Sequence, residues 1–362
     1  MDLMRTALIA LLLAVFAAGG FAQTIETIAG TGRPENGGSA GAALKTNIGE
    51  PFGVEIGPGG GLYICEVRNH RVWRLDLKSG QLKVVAGNGK AGYAGDGGQA
   101  TEALLNEPYE VRFDKAGNML FVEMKNHLVR KVDAKTGVIS TIAGTGKQGF
   151  GGDGGPAIRA QLSTPHSIAL DAEDNLYIAD IGNHRIRKVD AKTGVIESIA
   201  GNGEKLLPKD SQLAKDQPLL GPRALFIQGD DLWIALREGH SVWKLDLKGG
   251  TLSHVAGSGK KGFTGDGGPA KTATYDGPKG IAIGPDGNVY VMDTENHAVR
   301  KIDLKSGLIS TVAGSGPQGK GVGGDGGPAT KAQMDRPHGI CVGPDGAIYI
   351  GDSNNHRVRR VK

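Results

Sequence analysis

At 362 residues the chain is long enough to bury a sizeable core, and its formal charge of +4 with 5% aromatic residues argues against the strongly basic, stacking face that nucleic-acid binding needs. Its 61 glycines would signal disorder in an aperiodic chain, but here they recur at fixed turn positions. Composition therefore points to a folded repeat and to partners other than nucleic acid.

Taken in chain order, residues 1–22 carry Arg5, an apolar run from Ala7 to Ala18 and a Gly-Phe-Ala site before Gln23. That pattern reads as a secretory signal peptide, too short for a membrane span. No lipobox-type cysteine follows it. The expectation is a periplasmic or secreted protein, a single domain over 23–362, monomeric and without stable membrane insertion after cleavage. Residues 25–30 then read IETIAG, matching ISTIAG at 139–144 and ISTVAG at 309–314. Six units follow, anchored at Pro51, Pro108, Pro165, Pro222, Pro278 and Pro337, at intervals of 57, 57, 57, 56 and 59 residues. A fixed period of this size marks a solenoid, propeller or array, whose units bury apolar surface only against neighbours.

Within the unit from Pro165 to Gly201, alternating β-branched runs separated by Asp-Asn, Gly-Asn-His and Lys-Thr-Gly turns predict four short antiparallel strands. The sixth unit stops at Lys362 one strand short, and the amino-terminal segment at about 24–30 has the sequence of the missing strand. The predicted fold is all-β: a six-bladed β-propeller of four-stranded antiparallel blades, closed when that segment completes the last blade.

Two cysteines would invite a disulfide in an exported protein. Yet Cys65 fills a slot taken elsewhere by Val122, Ala179, Ala235, Met292 and Gly351, and Cys341 one taken by Ala169 and Ala282, so both read as small buried apolar residues. Four stretches, at 87, 144, 257 and 314, match G-x-G-x-x-G after a strand. The dinucleotide fingerprint needs a helix at its last glycine, whereas GDGG follows in all four, so no nucleotide cofactor is expected. Asp96, Asp153, Asp266 and Asp325 of those GDGG loops are read as accepting backbone N–H groups of their own loops. Glu55 and Arg112 are read as a buried ion pair between adjacent blades, and His254 as an exposed replacement for a Thr.

Asp-x-x-Asn-His-Arg followed by a Val/Ile-Arg-Lys strand, as in Asp180–Lys188 and Asp352–Arg360, resembles the NHL repeat, and the likeness runs over residues 23–362. Related copies stand at Asn69-His70, Asn126-His127 and Asn296-His297. The fourth unit departs, with Gly239-His240, and with Leu236 in the acidic position. The resemblance implies a propeller that binds proteins, RNA or sugars, with a few lyases among its relatives. In the peptidyl-hydroxyglycine amidating lyase, histidines in the same Pro-His position hold zinc. His166 and His338 match two of three such ligands, which makes them the candidates for a divalent metal, although no cofactor is expected. In the repeats themselves the Asn is read as taking the left-handed turn conformation and the His as packing locally.

The residue after each anchor proline opens the innermost strand and should rim the central channel: Phe52, Tyr109, His166, Arg223, Lys279 and His338, with Glu110 beside Tyr109. The ends of the second strands should bring Glu66, Glu123, Asp180, Asp293 and Asp352 near the same mouth. Polar groups converging with aromatics on a concave site make the mouth the expected ligand site. The function that follows is a binding or interaction scaffold for a protein, peptide, glycan or small anionic ligand. The alternative is an NHL-type lyase or lactonase-like hydrolase with a metal at the mouth. The divergent loops RPENGGSAG at 33 and KLLPKDSQ at 205 mark where the repeat is interrupted.

Overall fold

A computed structural model describes residues 23–362; the signal segment predicted for 1–22 lies outside the described residues. Six antiparallel sheets stand around a central channel. Blade 3 shows the pattern, with strands Ser167–Leu170, Leu176–Asp180, Arg185–Val189 and Ile196–Ala200 from the channel outward. Blade 6 is built from both ends of the chain, as the sequence predicts. Its strands Ile340–Val342, Ile348–Asp352 and Arg357–Val361 are completed by Ile25–Ala29. Ile25 pairs with Val361, and backbone hydrogen bonds of 2.8 and 3.0 Å link Thr24 and Lys362.

The divergent loops prove to be strand-forming. Blades 1 and 4 each carry a short fifth strand, Ala40–Ala42 and Gln212–Leu213, pairing outside their fourth strands. Among the described residues no helix is long and apolar enough to cross a membrane.

The core is a ring of six interfaces rather than one centre. Tyr177 and Ala179 of blade 3 pack on Leu225, Ile234 and Trp243 of blade 4, and Tyr349 and Val358 of blade 6 on Val54 and Trp73 of blade 1. The period of two along each strand puts one side chain toward each neighbouring blade in turn. Cys65 and Cys341 lie in these interfaces as buried free thiols, both pushed up in pKa by burial.

The Asn-His turns work differently from their sequence reading. The histidines, not the asparagines, take the left-handed conformation, with φ between 44° and 54° at positions 70, 127, 184, 240, 297 and 356. Each then presents Nδ1 to a backbone N–H just before the next blade's anchor proline: His70 to Glu107, His127 to Thr164, His184 to Gly221, His240 to Gly277, His297 to Arg336 and His356 to Glu50. These bonds span 3.0 to 3.3 Å.

Only a neutral imidazole can accept there, and burial lowers the pKa of all six rings. A histidine depressed in the folded state stabilises above its ordinary pKa of about 6.5, and that contribution is lost as pH falls through the folded value. Replacing His127 by Ala should therefore cost about 1–3 kcal/mol at pH 7.5, by orphaning the Thr164 N–H. The deficit should shrink below pH 6, where the parent loses the same bond. Urea midpoints of parent and variant at both pH values check this.

Candidate functional site at the channel mouth

The six residues after the anchor prolines do converge, together with Glu110, but they fill the mouth instead of rimming an opening. They line a cavity of only about 20 Å³, room for a water molecule and little else. The Phe52 ring stacks on His338 at 3.9 Å and meets Tyr109 edge-on at 4.5 Å. The Arg223 guanidinium lies 4.5 Å above the Tyr109 ring and donates to a Tyr109 hydroxyl. The Tyr109 ring packs beside both candidate metal ligands, its centroid 4.7 Å from that of His166 and 6.5 Å from that of His338.

Both imidazoles are buried, and burial first, then Arg223 for His166 and Lys279 for His338, holds them well below the usual histidine pKa. Carbonyl partners set the tautomer. His166 donates from Nδ1 to Thr164 at 2.6 Å and His338 to Arg336 at 2.8 Å, which leaves Nε2 of His338 facing the Lys279 ammonium at 3.5 Å.

Below the plug, Arg112 pairs with Glu55 at 3.2 Å, as the sequence predicts, and also with Glu110. It reaches across to the Leu225 carbonyl of blade 4 at 3.3 Å. Burial raises Glu110 and pushes Glu55 up to about 7.

The second-strand carboxylates do not reach the mouth. Glu66, Glu123, Asp180, Asp293 and Asp352 have no exposed surface, because each turns into its own blade and is consumed there. Asp180 shows how: it accepts the Ser163 N–H at 2.7 Å, the Asn183 amide at 2.7 Å and Arg187 at 3.3 Å. The same arginine reaches Asp153 of the GDGG loop at 2.6 Å. Arg130, Arg300 and Arg359 bridge Glu123 to Asp96, Asp293 to Asp266 and Asp352 to Asp325 in the same way. The GDGG aspartates are thus held by third-strand arginines, not by their own loop amides. A carboxylate buried this deeply requires such partners, and even so burial pushes Asp180 and Asp352 up to about 6 and Asp293 to about 7. Among the described residues no three His, Cys, Asp or Glu side chains are grouped to hold a metal ion.

What is open lies beside the plug. Between blades 4 and 5 a cleft of about 380 Å³ is lined by Arg237, Glu238, His240, Asp276, Lys279, Glu295 and Arg336. Glu295 organises it, accepting from Lys279 at 2.6 Å and from Arg336 through two bonds of 2.8 and 2.9 Å. Burial would raise Glu295, but these cations outweigh it and hold it at about 2. Burial, with Arg223 and Arg336 nearby, brings Lys279 down to about 8 despite its carboxylate partner. Sequence reasoning found Lys279 but not Arg237, Glu295 or Arg336. Arg237 and Glu295 sit in the second turn, three and two residues before a His, and Arg336 directly precedes an anchor proline. Those positions vary from blade to blade, and that variation was the available signal.

Comparison with known proteins agrees with this architecture. The NHL repeat model matches residues 162–189 and 334–361, and the Teneurin NHL domain model matches 253–320. NHL repeat-containing protein 2 of Gallus gallus is 27% identical over 329 residues, covering 82% of this chain but only 44% of that protein, so the chain spans less than half the length of that relative. An auxiliary nutrient binding protein from Bacteroides thetaiotaomicron superposes with a TM-score of 0.67 at 17% identity, over 94% of this chain and 76% of that one. Virginiamycin B lyase from Staphylococcus aureus superposes with a TM-score of 0.53 at 14% identity, over 94% and 99%. Likenesses at these identities speak for the fold alone. With five Asn-His turns and a sixth that is Gly-His, six blades and a ring closed by its first strand, the chain is an NHL-repeat β-propeller.

Proposed function

We propose that this propeller is an exported binding scaffold whose mouth face takes a small anionic ligand in the cleft between blades 4 and 5. The observation that carries this reading is the convergence of two cations, Lys279 and Arg336, on the single carboxylate Glu295 in one open cleft, with Arg237, itself paired to Glu238 at 2.7 Å, also in its lining. Lys279 is an ammonium held in a buried setting beside two guanidinium groups, and an incoming carboxylate or phosphate would offset that repulsion. The closed channel supports the cleft, not the mouth itself, as the place of engagement. Larger partners such as a protein, peptide or glycan would present the same anionic group to the face. Support for export comes from the predicted leader at 1–22.

The charge of Lys279 gives the binding a pH signature. Glu295, Arg223, Arg336 and His338 surround it. Of these, only Lys279 changes charge near pH 8. Affinity for inorganic sulfate, whose charge is fixed over this range, should be level from pH 6.5 to 7.5 and weaken roughly tenfold toward pH 9 as the ammonium is lost. In Lys279→Met the step should vanish and affinity should fall at least tenfold at pH 7. Calorimetric titration reads both. Equal binding by parent, Lys279→Met and Arg336→Ala would remove this site from consideration.

A further inference from the structure

Besides Leu236, Gly239, Trp243 and the loop at 205, blade 4 departs from the repeat at three further positions, and these three meet in one groove. In blades 3 and 5 the second strand carries Tyr177 or Tyr290, whose hydroxyl donates at 2.9 Å to Asp171 or Asp286 of the preceding turn. Blade 4 shortens that turn to Gly229-Asp230, with Gly229 at φ 60°, as the first central residue of one type of two-residue hairpin requires. Gln228 stands where Asp171 stands, and Trp233 replaces the tyrosine. The indole is 4% exposed, and its N–H finds no hydrogen-bond partner among the described residues. The third departure is His254, which stands on the outermost strand where Thr27, Thr141, Ser198 and Thr311 stand in other blades.

Gln228, Trp233 and His254 line a single groove of about 640 Å³ between blades 4 and 5. It contains the turns opposite the mouth, so it is separate from the anion cleft. Its size lies within the range of about 300–1,000 Å³ typical of small-molecule sites. Its ionic lining is Asp231 and Asp303 with Lys244 and Lys271; Lys244 is paired to Asp231 at 2.9 Å and Lys271 to Asp210 at 3.5 Å, so these cations do not converge on one point as Lys279 and Arg336 do on Glu295. Such a lining gives an ion no focus. A ligand rich in hydroxyl groups gains from it, since each hydroxyl both donates and accepts. It can give a hydrogen bond to a carboxylate and take one from the Gln228 amide. Leu304, 42% exposed, and Ile302 form an apolar wall for the C–H face of a ring.

We infer that this groove is a second ligand site, specific for a neutral saccharide. The Trp233 indole belongs to the groove's lining, so its surroundings change when the groove is filled. In ¹⁵N-labelled protein the Trp233 indole resonance is assigned by its loss in Trp233→Phe. It is then followed during titration with glucose, galactose, mannose, N-acetylglucosamine, maltose, cellobiose and lactose. At least one sugar should move that resonance saturably while the Trp73 indole stays fixed. His254→Thr, which restores the residue of the other blades, and Gln228→Ala should each weaken that affinity at least tenfold. Lys279→Met should leave it unchanged, which separates this site from the anion cleft. No saturable shift with any of the sugars, an equal response to inorganic phosphate, or unchanged affinity in both groove variants overturns the assignment.

Discussion

Shortening the chain to begin at residue 31 should produce a protein that unfolds at much lower urea concentration and aggregates as it does so. The lost strand is held at both faces. Ile25 is fully buried among Ile348, Ile350 and Val361 of its own blade and Met292 and Val299 of blade 5, while Ala29 packs with Val54 and Trp73 of blade 1. One five-residue strand therefore joins three blades. Its edge is further secured by Glu26, which pairs with Arg360 and with Lys362 at 2.8 Å. Ile25→Ala alone should cost about 2–5 kcal/mol through lost burial and the cavity left behind. The truncation should cost more, because it also frees the backbone of Arg357–Val361 as an unpaired edge inviting association between chains. Urea midpoints with light scattering test both forms. A truncated protein with the parent's midpoint and no scattering would show that the ring is held without its latch.

The second large effect is expected at the arginine bridges. Arg187 is fully buried between Asp180, also fully buried, and Asp153, whose side chain is 38% exposed. Arg187→Leu keeps most of the volume but strands the Asp180 carboxylate, and removing one partner of a buried pair costs about 3–5 kcal/mol. Much of that cost is the orphaned charge. Arg187→Leu with Asp180→Asn, which still offers the Ser163 N–H an oxygen, should therefore be more stable than Arg187→Leu alone. The pH dependence has a definite sign. Burial already places Asp180 at about 6, above its ordinary value of 3.8, so the folded protein takes up a proton between these values and the unfolded chain does not. The deficit of Arg187→Leu should accordingly shrink between pH 7.5 and pH 5. A deficit below 1 kcal/mol, or one that does not change with pH, would contradict this account.

These bridges also show where the sequence was legible and where it was not. Proline spacing and the IETIAG segment were enough for blade number and closure, because strand period and repeat length are one-dimensional properties. The fate of Asp180 and its equivalents was not, since alternation along a strand does not reveal what a side chain meets on an adjacent loop. One clue was nevertheless present. Third-strand arginines occur at 130, 187, 300 and 359, in the four blades whose preceding loop contains GDGG, while Trp73 and Trp243 stand there in the two whose loop does not. Loop and strand vary together because their side chains touch. The mouth residues were correctly grouped and wrongly spaced: two aromatic rings and two imidazoles in a six-bladed ring close the channel by their bulk. The cleft escaped notice because Glu295 and Arg336 come from turns 41 residues apart that only the packing of neighbouring blades brings together.

The histidine hydrogen bonds carry a consequence for how the molecule comes apart. An open stack of repeats has end units with one neighbour each, and it frays from them. Here His356 of blade 6 holds Glu50 at the start of blade 1 just as His70 holds Glu107, so the chain of links returns to its beginning. No blade is terminal, and none can peel away while its neighbours stay. Unravelling has a single cheap starting point, the strand Ile25–Ala29, and the lifetime of the folded ring is set by how often that one strand lets go.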